Sequence, residues 1–435
     1  MNEMTGTPNW LDKEKNIIEP EFCKAFLHRH PMKCILGRFC TADGIVSDEA
    51  VIKRNICDAI QPYINVSVAQ TVERLFKLLQ LMAYSEPLPL QTDRIHVANG
   101  TYFLDGTFTP DKEFCANRLA VSYTPGAAVP ERWHLFLREL LNEEDIPTLQ
   151  EYLGYCLIPT TKGQKMLMMI GKGGEGKSRI GLVMNTIFGT SMNTTSIQKV
   201  ETNRFARADL ESKLLMVDDD MDMSALPKTN YIKSIVTSEC RMDLERKGVQ
   251  SYQAQLYVRF LCFGNGALTS LHDRSDGFFR RQIVLTTKDR PPERTNDPFL
   301  LEKLVAERES IFLWMLEGLH RLIDNSYRFT ISEGAKANIT SIVRYANNIV
   351  DFLASEGYVA FKADYTAPTK HLYEAYKVWC SDNAEKPLSE KSFANFLGQN
   401  FEKYGMADTD RIILSGGKRC RGYEGIGVLL RFPEL

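Results

Sequence analysis

Residues 171–178, near the middle of the chain, have the types and spacing of a phosphate-binding loop. Their sequence, GKGGEGKS, matches the pattern GxxxxGK followed by Ser or Thr. Glycines let successive backbone N–H groups curl around an anion, because no Cβ atom obstructs them. The lysine of such a loop reaches the β- and γ-phosphates of a nucleoside triphosphate, and the hydroxyl group binds Mg²⁺. We therefore expect ATP and Mg²⁺ as cofactors. The expected contacts are Gly171, Gly173, Gly174, Glu175, Gly176, Lys177 and Ser178.

The segments on either side of this loop support the same interpretation. Residues 166–170 form the apolar run MLMMI, which is typical of a buried strand, and a segment compatible with a helix follows from Ser178. A helix that opens at the loop adds the positive end of its dipole to an anion site. The alternative is a glycine-rich turn that matches a short pattern by chance. The order strand, glycines, Lys-Ser and helix argues against that alternative.

A second motif consists of acids at the end of another apolar stretch, KLLMVDDDMD, over residues 213–222. A nucleotide hydrolase needs one carboxylate to hold the hydrated Mg²⁺ ion and another to polarise the attacking water. The strand should end near Asp218, so Asp218 fits the metal role and Asp219 the water role. Asp220 and Asp222 are expected on a solvated loop. An acidic turn without catalytic function is the alternative interpretation.

An apolar stretch at 257–268, YVRFLCFGNGAL, ends in Asn265. A polar amide at the end of a strand could orient the attacking water or contact the γ-phosphate. Taken alone, an Asn-Gly pair is more often a simple turn.

An arginine pair, Arg280 and Arg281, stands immediately before the next expected strand, in DGFFRRQIVL at 276–285. Such an arginine cannot easily reach its own chain's phosphate. It could instead project into a neighbouring subunit's site as an arginine finger, which neutralises charge in the transition state. An isolated Arg-Arg pair is otherwise ordinary surface charge.

Composition narrows the classes of protein that remain. The formal net charge of the 435-residue chain is −2, so no global basic field indicates nucleic acid, and any DNA contact must come from local patches. The ten cysteines are scattered without a CxxC pair, which favours free, mostly buried thiols over disulfides or zinc. No signal peptide is recognisable, and no apolar run approaches the ~18 residues that span a membrane. A cytoplasmic protein without a membrane partner is expected.

Three domains are expected along the chain. Residues 1–160 have mixed, mainly helical patterns, and residues 161–350 alternate between strands and helices, as in an α/β nucleotide-binding core. Residues 351–435 form the last domain. The clearest joint in the sequence is VAFKADYTAPTK at 359–370, where Pro368 precedes a fresh segment.

The last domain has the pattern of a winged helix-turn-helix. Apolar residues follow helical spacing in 371–383 and 389–401, and an expected hairpin over 411–432 turns at a Gly-Gly pair. The cations of this hairpin, which would form the wing, suit contacts with DNA phosphates. They are Lys418, Arg419 and Arg421. The alternative is a small packing domain with a solvated basic hairpin.

In order and spacing, these motifs resemble the superfamily 3 helicases, specifically the primase-helicase type of bacteriophages, plasmids, pathogenicity islands and poxviruses. The papillomavirus and polyomavirus initiator helicases are more distant relatives. The resemblance runs from about residue 95 onward. It includes the entry into the loop at 149–178, the helical stretch at 296–322 and the C-terminal segment at 372–393.

The resemblance implies a P-loop, AAA+-like ATPase core in a ring-forming, hexameric DNA helicase. Such a helicase translocates on single-stranded DNA and unwinds duplex during replication of a phage, plasmid or island. Phosphate and Mg²⁺ binding by Lys177 and Ser178 is implied as well. The resemblance further implies Asp218 and Asp219 in the second motif, Asn265 as the residue that senses the γ-phosphate, and Arg281 or Arg280 as the arginine finger. Most relatives have glutamate where this chain has Asp219, and the shorter side chain leaves open which aspartate positions the water.

Between the second motif and the sensor, the family carries a DNA-tracking hairpin inside the ring. The corresponding stretch here is 233–255, with Lys233, Arg246 and Lys247 as candidate DNA contacts and Gly248 at the tip. A cation at such a tip could grip successive phosphates. A solvated turn is the alternative.

Two other functions remain open from the sequence. One is a P-loop ATPase that remodels a protein partner or acts as a switch. The other is a primase-helicase with a priming activity in residues 1–160, although that region lacks convincing clustered acids or a zinc site. Expected partners are single-stranded and forked DNA and other copies of this chain, with origin DNA and a separate primase or initiator as further candidates.

Overall fold

The computed structural model describes residues 8–221, 229–237, 240–265, 276–290, 297–346, 348–413 and 419–430. These residues fall into two units, one extending to Ile339 and the other beginning at Thr340. None of the helices in these ranges is both long and apolar enough to cross a membrane.

The first unit begins with three helices and a small antiparallel sheet. In chain order the elements are α1 (Glu19–Arg29), β1 (Lys33–Ile35), β2 (Arg38–Thr41), β3 (Gly44–Ile45), α2 (Glu49–Ile60) and α3 (Val68–Met82). The apolar residues of 71–83 recur at helical spacing, and this stretch lies mostly within α3. Val72, Leu75, Phe76 and Leu79 share one face of it and are buried.

A meander of short strands and two helices leads into the parallel sheet. The elements are β4 (Arg94–Val97), β5 (Gly100–Phe103), β6 (Phe108–Thr109), α4 (Glu131–Leu140) and α5 (Ile146–Tyr155). Buried side chains such as Ile95 and Trp133 belong to the same apolar core as Leu167 of the sheet. The expected border at residue 160 thus lies within a continuous core, and the division into three domains stays a prediction.

The centre of the first unit is a five-stranded parallel sheet. In chain order the elements of this part of the chain are β7 (Met166–Gly171), α6 (Lys177–Phe188), β8 (Met192–Thr194), α7 (Ile197–Thr202), α8 (Arg204–Ala208), β9 (Leu215–Asp218), α9 (Asn230–Thr237), β10 (Met242–Leu244), β11 (Tyr252–Ala254), β12 (Arg259–Asn265), α10 (Asp276–Phe279) and β13 (Gln282–Thr286). Of these, β10 and β11 form a separate two-stranded sheet. The strand order of the parallel sheet is β13-β7-β12-β9-β8, and every neighbouring pair is parallel. This parallel-sheet core is consistent with a P-loop-like fold.

Helices follow the sheet: α11 (Leu300–Ala306), α12 (Arg308–Asp324) and α13 (Glu333–Ala346). The continuous helical pattern over 301–323 is interrupted at Glu307, where the sequence indicates no break. At this break the Glu307 carboxylate caps another helix, because it accepts hydrogen bonds from the backbone N–H groups of Arg132 (3.0 Å) and Trp133 (2.9 Å) at the start of α4.

The second unit contains α14 (Ile349–Ala354), β14 (Val359–Pro368), α15 (Thr369–Asp382), α16 (Glu390–Asn400), β15 (Ala407–Ile413) and β16 (Arg419–Val428). Its sheet is antiparallel in the order β14-β16-β15. The two expected helices are α15 and α16, and Tyr376, Trp379 and Phe393 lie in their shared core. The joint expected at 359–370 is instead mostly strand β14, which pairs with β16.

Two glycines allow α5 and α12 to cross with their backbones in contact. A Cβ atom on Gly154 would overlap Met315 O and lie 2.6 Å from Leu319 N, and one on Gly318 would overlap Gln150 O. Residues of α5 and α12 belong to the same apolar core as the strands of the parallel sheet. The close crossing of the two helices therefore helps to fix the packing against the sheet.

We expect Gly154→Ala to lower the free energy of unfolding by about 2 kcal/mol or more, because the added methyl group forces two packed backbones apart. Urea unfolding followed by circular dichroism measures the effect. The matched control is Gly398→Ala in α16, where a Cβ would meet only Tyr423 Oη at 3.8 Å. That control should change stability by less than about 1 kcal/mol. An equal effect of the two substitutions would contradict the close crossing.

Candidate functional site

The glycine-rich loop lies at the carboxyl end of β7, between α6 and the neighbouring strands β12 and β13. In open parallel sheets, ligands bind at the carboxyl ends of the strands. The usual place is where the connections from two adjacent strands leave toward opposite faces of the sheet. Gly173, Gly174 and Gly176 have φ angles of +109°, +82° and +111°, which other residues rarely adopt. The glycines are therefore required by the shape of the loop.

The first glycine of the loop is enclosed by side chains. A Cβ atom on Gly171 would overlap Thr287 Oγ1, which follows β13, and would lie 2.8 Å from Glu175 Oε1. A larger residue at this position would push the loop away from β13 or displace Glu175. Both neighbours are polar: Thr287 presents a hydroxyl group to the loop, and Glu175 presents a carboxylate.

Lys177, the first residue of α6, is buried against Glu175. Its Nζ atom lies 2.8 Å from Glu175 Oε2, and the exposed fractions of the two side chains are 6% and 3%. The backbone N–H of Gly173 donates to Glu175 Oε1 at 2.7 Å. Burial opposes ionisation of Glu175, but the hydrogen bonds from Lys177 and Gly173 outweigh it and keep the pKa of this carboxyl below its ordinary value. Ser178 follows in the first turn of α6 and is half-buried.

The acid motif lies at the same edge of the sheet. Strand β9 ends at Asp218, as expected, and Asp218 is paired with Cys262 of β12. Asp218 is buried, and its Oδ2 accepts a hydrogen bond of 2.8 Å from the backbone N–H of Ile197, the first residue of α7. Burial, together with the charges of Asp219 and Asp220, raises the pKa of Asp218.

Asp219 and Asp220 have a different environment, because both are exposed. Asp218 and Asp219, the two candidates for the catalytic acids, therefore differ in environment. Asp218 is fixed by a helix N-terminus, whereas Asp219 faces solvent. Asp222 lies outside the described residues.

Asn265 is the last residue of β12 and is paired with Gly171 of β7. Its Oδ1 atom lies 3.8 Å from the position that a Cβ on Gly173 would occupy. The fold thus brings the amide side chain next to the glycine loop, although 94 residues of sequence separate Gly171 and Asn265.

Arg280 and Arg281 lie at the opposite edge of the sheet. The carbonyl of Arg281 accepts a hydrogen bond from Met166 N (2.8 Å), at the start of β7. The loop begins five residues further along, at Gly171, or roughly 16 Å at the usual rise of a strand. The Arg281 guanidinium donates to Gly277 O of its own chain, while Arg280 is exposed. Neither arginine reaches the loop of its own subunit along this strand.

No local pattern in the sequence indicates that Thr287 and Arg290 are neighbours of the loop. Arg290 Nη1 lies 3.9 Å from the position of a Cβ on Gly174, and Asp289 forms an ion pair of 2.7 Å with Lys172. The signal that could have identified them is the adjacency of β13 and β7. That adjacency follows from the sheet order and not from any local pattern.

Within the described ranges, no group of three or more His, Cys, Asp or Glu side chains is placed to hold a metal ion. Mg²⁺ commonly binds through one or two protein ligands together with substrate phosphates and water. Ser178 and Asp218 are the residues that would hold such an ion, because each has a side-chain oxygen atom at this edge of the sheet.

The expected hairpin is present as the antiparallel pair β10 and β11, joined by residues 245–251. Lys247 and Gly248 are exposed in this connection, and Gly248 has a φ angle of +73°. Lys233 lies outside the hairpin, on α9, with a partly buried side chain.

Arg246 is held by a charge cluster at the base of the hairpin. Its Nη2 lies 2.7 Å from Glu211 Oε2, and its Nε donates to Tyr252 Oη at 2.7 Å. The same Glu211 oxygen is 3.2 Å from Arg38 Nη1 of β2 and accepts a hydrogen bond from Tyr252 Oη at 2.8 Å. Arg246 therefore anchors the hairpin, and its side chain is not available at the tip in the way that Lys247 is.

In the second unit, Arg419 and Arg421 of β16 are exposed. Arg421 forms a two-point contact with Asp408 of β15, with Nη2 to Oδ2 at 2.6 Å and Nε to Oδ1 at 3.2 Å. An exposed pair of this kind is worth little energy and could be exchanged for a phosphate contact. Lys418 lies outside the described residues.

Comparisons with known proteins agree with this architecture. Residues 169–281 match a family of unknown function, DUF5906, and residues 344–416 match the poxvirus D5 protein-like family. The chain also resembles the apo structure of the NrS-1 C-terminal region (305–718), with 13% identity, a TM-score of 0.55 and coverage of 93% of this chain and 98% of that chain. The A form apo structure of that region has 12% identity and a TM-score of 0.53, and the match covers 92% of this chain and 98% of that chain.

The chain shares its fold with the NrS-1 C-terminal region. At these identities the likeness concerns the fold alone. Among curated proteins, none matches the chain. The two family matches together cover the loop, the acid motif, Asn265, the arginine pair and most of the second unit.

Proposed function

We propose that this protein is an ATP-dependent DNA helicase that assembles as a ring and unwinds DNA during replication of a phage, plasmid or island. The observation that carries the proposal is the meeting of the glycine loop, Asp218 and Asn265 at one edge of a parallel sheet. The match to the poxvirus D5 protein-like family supports a primase-helicase type of replication protein.

The residues at this edge have complementary roles in the proposed ATP site. Lys177 and the loop N–H groups bind the phosphates, while Ser178 and Asp218 hold Mg²⁺. The metal ion neutralises charge that develops on the phosphates during hydrolysis. Asp219, exposed beside Asp218, accepts the proton of the attacking water, and Asn265 orients that water or the γ-phosphate.

The finger must come from another copy of the chain. Arg280 and Arg281 lie at the far edge of the sheet, so they serve a neighbour's site in a head-to-tail ring, a hexamer in the helicases that this sequence resembles. Arg280 is the more available of the two, because Arg281 already contacts its own backbone.

The second unit is proposed to be a winged helix that binds DNA or a partner protein. Its elements follow the order helix, strand, two helices, then a two-stranded hairpin. In this interpretation β15 and β16 form the wing, and Arg419 and Arg421 contact phosphates. Origin DNA, a primase and an initiator are the candidate partners.

We expect single-stranded DNA to stimulate ATP hydrolysis several-fold and the protein to separate forked duplexes in the presence of ATP. The matched control is Lys177→Ala, which should lose hydrolysis and unwinding because the phosphates lose their cation. ATPase and strand-displacement assays test this. A rate of ATP hydrolysis that DNA does not change, together with no strand separation, would favour a protein-remodelling ATPase instead.

We expect Arg280→Ala to reduce ATP hydrolysis at least a hundredfold while nucleotide affinity stays within about threefold, because a finger stabilises mainly the transition state. Arg281→Ala provides the comparison at the neighbouring position. Mixing the finger variant with Lys177→Ala subunits should restore part of the activity, since some interfaces then combine an intact loop with an intact arginine. No recovery for either arginine variant would contradict a shared site.

We expect Lys247→Ala to retain DNA-independent ATP hydrolysis and to lose most unwinding, because the hairpin tip would lack its exposed cation. Arg246→Ala should behave differently, since Arg246 is tied to Glu211 and Tyr252. Its loss should loosen residues 242–254, which hydrogen exchange would detect, whereas Lys247→Ala should leave exchange there unchanged. Normal unwinding by Lys247→Ala would remove that residue from the DNA path.

A further inference from the structure

Glu175 places a carboxylate inside the loop that is proposed to bind phosphate. It accepts hydrogen bonds from the backbone N–H of Gly173 and from Lys177 Nζ, at 2.7 and 2.8 Å. A backbone N–H and a lysine ammonium are also the two kinds of donor that a phosphate-binding loop offers to its ligand. The loop therefore already contains an anion of its own.

This contact differs from an ordinary ion pair on the surface. Glu175 and Lys177 are 3% and 6% exposed, and the carboxylate packs against the loop backbone at Gly171. By contrast, the nearby pair Lys172 and Asp289 is 79% and 70% exposed. A buried pair holds its partners more firmly, because releasing either group alone leaves an uncompensated charge.

We propose that Glu175 is an internal competitor of the nucleotide and sets its affinity. In the nucleotide-free protein the carboxylate engages Lys177 and Gly173, and both must be released before phosphates bind them. The inference rests on the proposed nucleotide site and goes beyond it, because it assigns this acidic loop residue a role opposed to binding.

A supporting role for Glu175 in nucleotide binding predicts the opposite effect of the substitution Glu175→Gln. If Glu175 only held Lys177 in a position ready for phosphate, removing its charge would weaken nucleotide binding. If Glu175 competes with phosphate, Glu175→Gln strengthens binding, because the neutral amide holds the lysine less tightly and no longer repels the phosphates. The sign of the change decides between the two roles.

The experiment is calorimetric titration of the full chain with a non-hydrolysable ATP analogue and Mg²⁺. We expect Glu175→Gln to bind about tenfold more tightly than the wild type, or better, since a charge-assisted hydrogen bond is lost from the nucleotide-free state. Glu175→Asn, which is also neutral but shorter, should change affinity in the same direction and guards against a folding defect of one variant.

Two controls separate the possible failures. Asp289→Asn removes a negative charge near the loop without touching Gly173 or Lys177, and should change affinity by less than about threefold. Lys177→Ala should abolish binding. Unchanged or weaker binding by both Glu175 variants, with normal binding by the wild type, would overturn the competitor role alone. Absence of binding by the wild type and by both Glu175 variants would overturn the nucleotide site as well.

Discussion

The pairing of β7 with β12 and β13 is the constraint on which the rest of the candidate site depends. Hydrogen bonding in parallel register sets Gly171 opposite Asn265 on one side and Ile170 opposite Thr286 on the other. Both faces of β7 are buried, so a slip of its register by one residue would disturb close packing on both faces of the sheet. The position of the loop along the strand direction, relative to the ends of β12 and β13, is therefore fixed before any ligand binds.

The same register divides the functional residues between two edges of the sheet. The loop, Asp218 and Asn265 lie at the carboxyl ends of their strands, whereas Arg280 and Arg281 precede β13 at the amino end. If both sets act on one nucleotide, two copies must meet through different surfaces. Repeating such a head-to-tail contact produces a ring when the rotation closes. The proposed assembly thus follows from the separation of residues within one subunit.

Local signals in the sequence predict much of the sheet and its strand ends. The apolar run before the loop, the acids after β9 and the asparagine at the end of β12 are each properties of a few consecutive residues, and the strands are confirmed at these places. The helices of the second unit are predicted in the same way, because their spacing is periodic, whereas the hairpin at 242–254 is expected only from the family resemblance.

Contacts between distant residues could not be predicted in this way. Nothing near Arg246 indicates that it shares the carboxylate of Glu211 with Arg38, and nothing near Glu307 indicates that its carboxylate caps α4. Likewise Thr287 and Arg290 become neighbours of the loop only through the sheet order. The roles assigned to Lys177, Asp218, Asn265 and the arginines stay predictions, since they concern a ligand and a second subunit.

The central claim is a nucleotide site shared between neighbouring subunits of a ring around DNA. Electron cryo-microscopy of the protein with forked DNA, Mg²⁺ and a non-hydrolysable ATP analogue tests it most directly. The account predicts a closed ring, with nucleotide between Lys177 of one subunit and Arg280 or Arg281 of the next, and single-stranded DNA beside Lys247 in the channel. Nucleotide bound within isolated subunits, with no arginine from a neighbour, would contradict it.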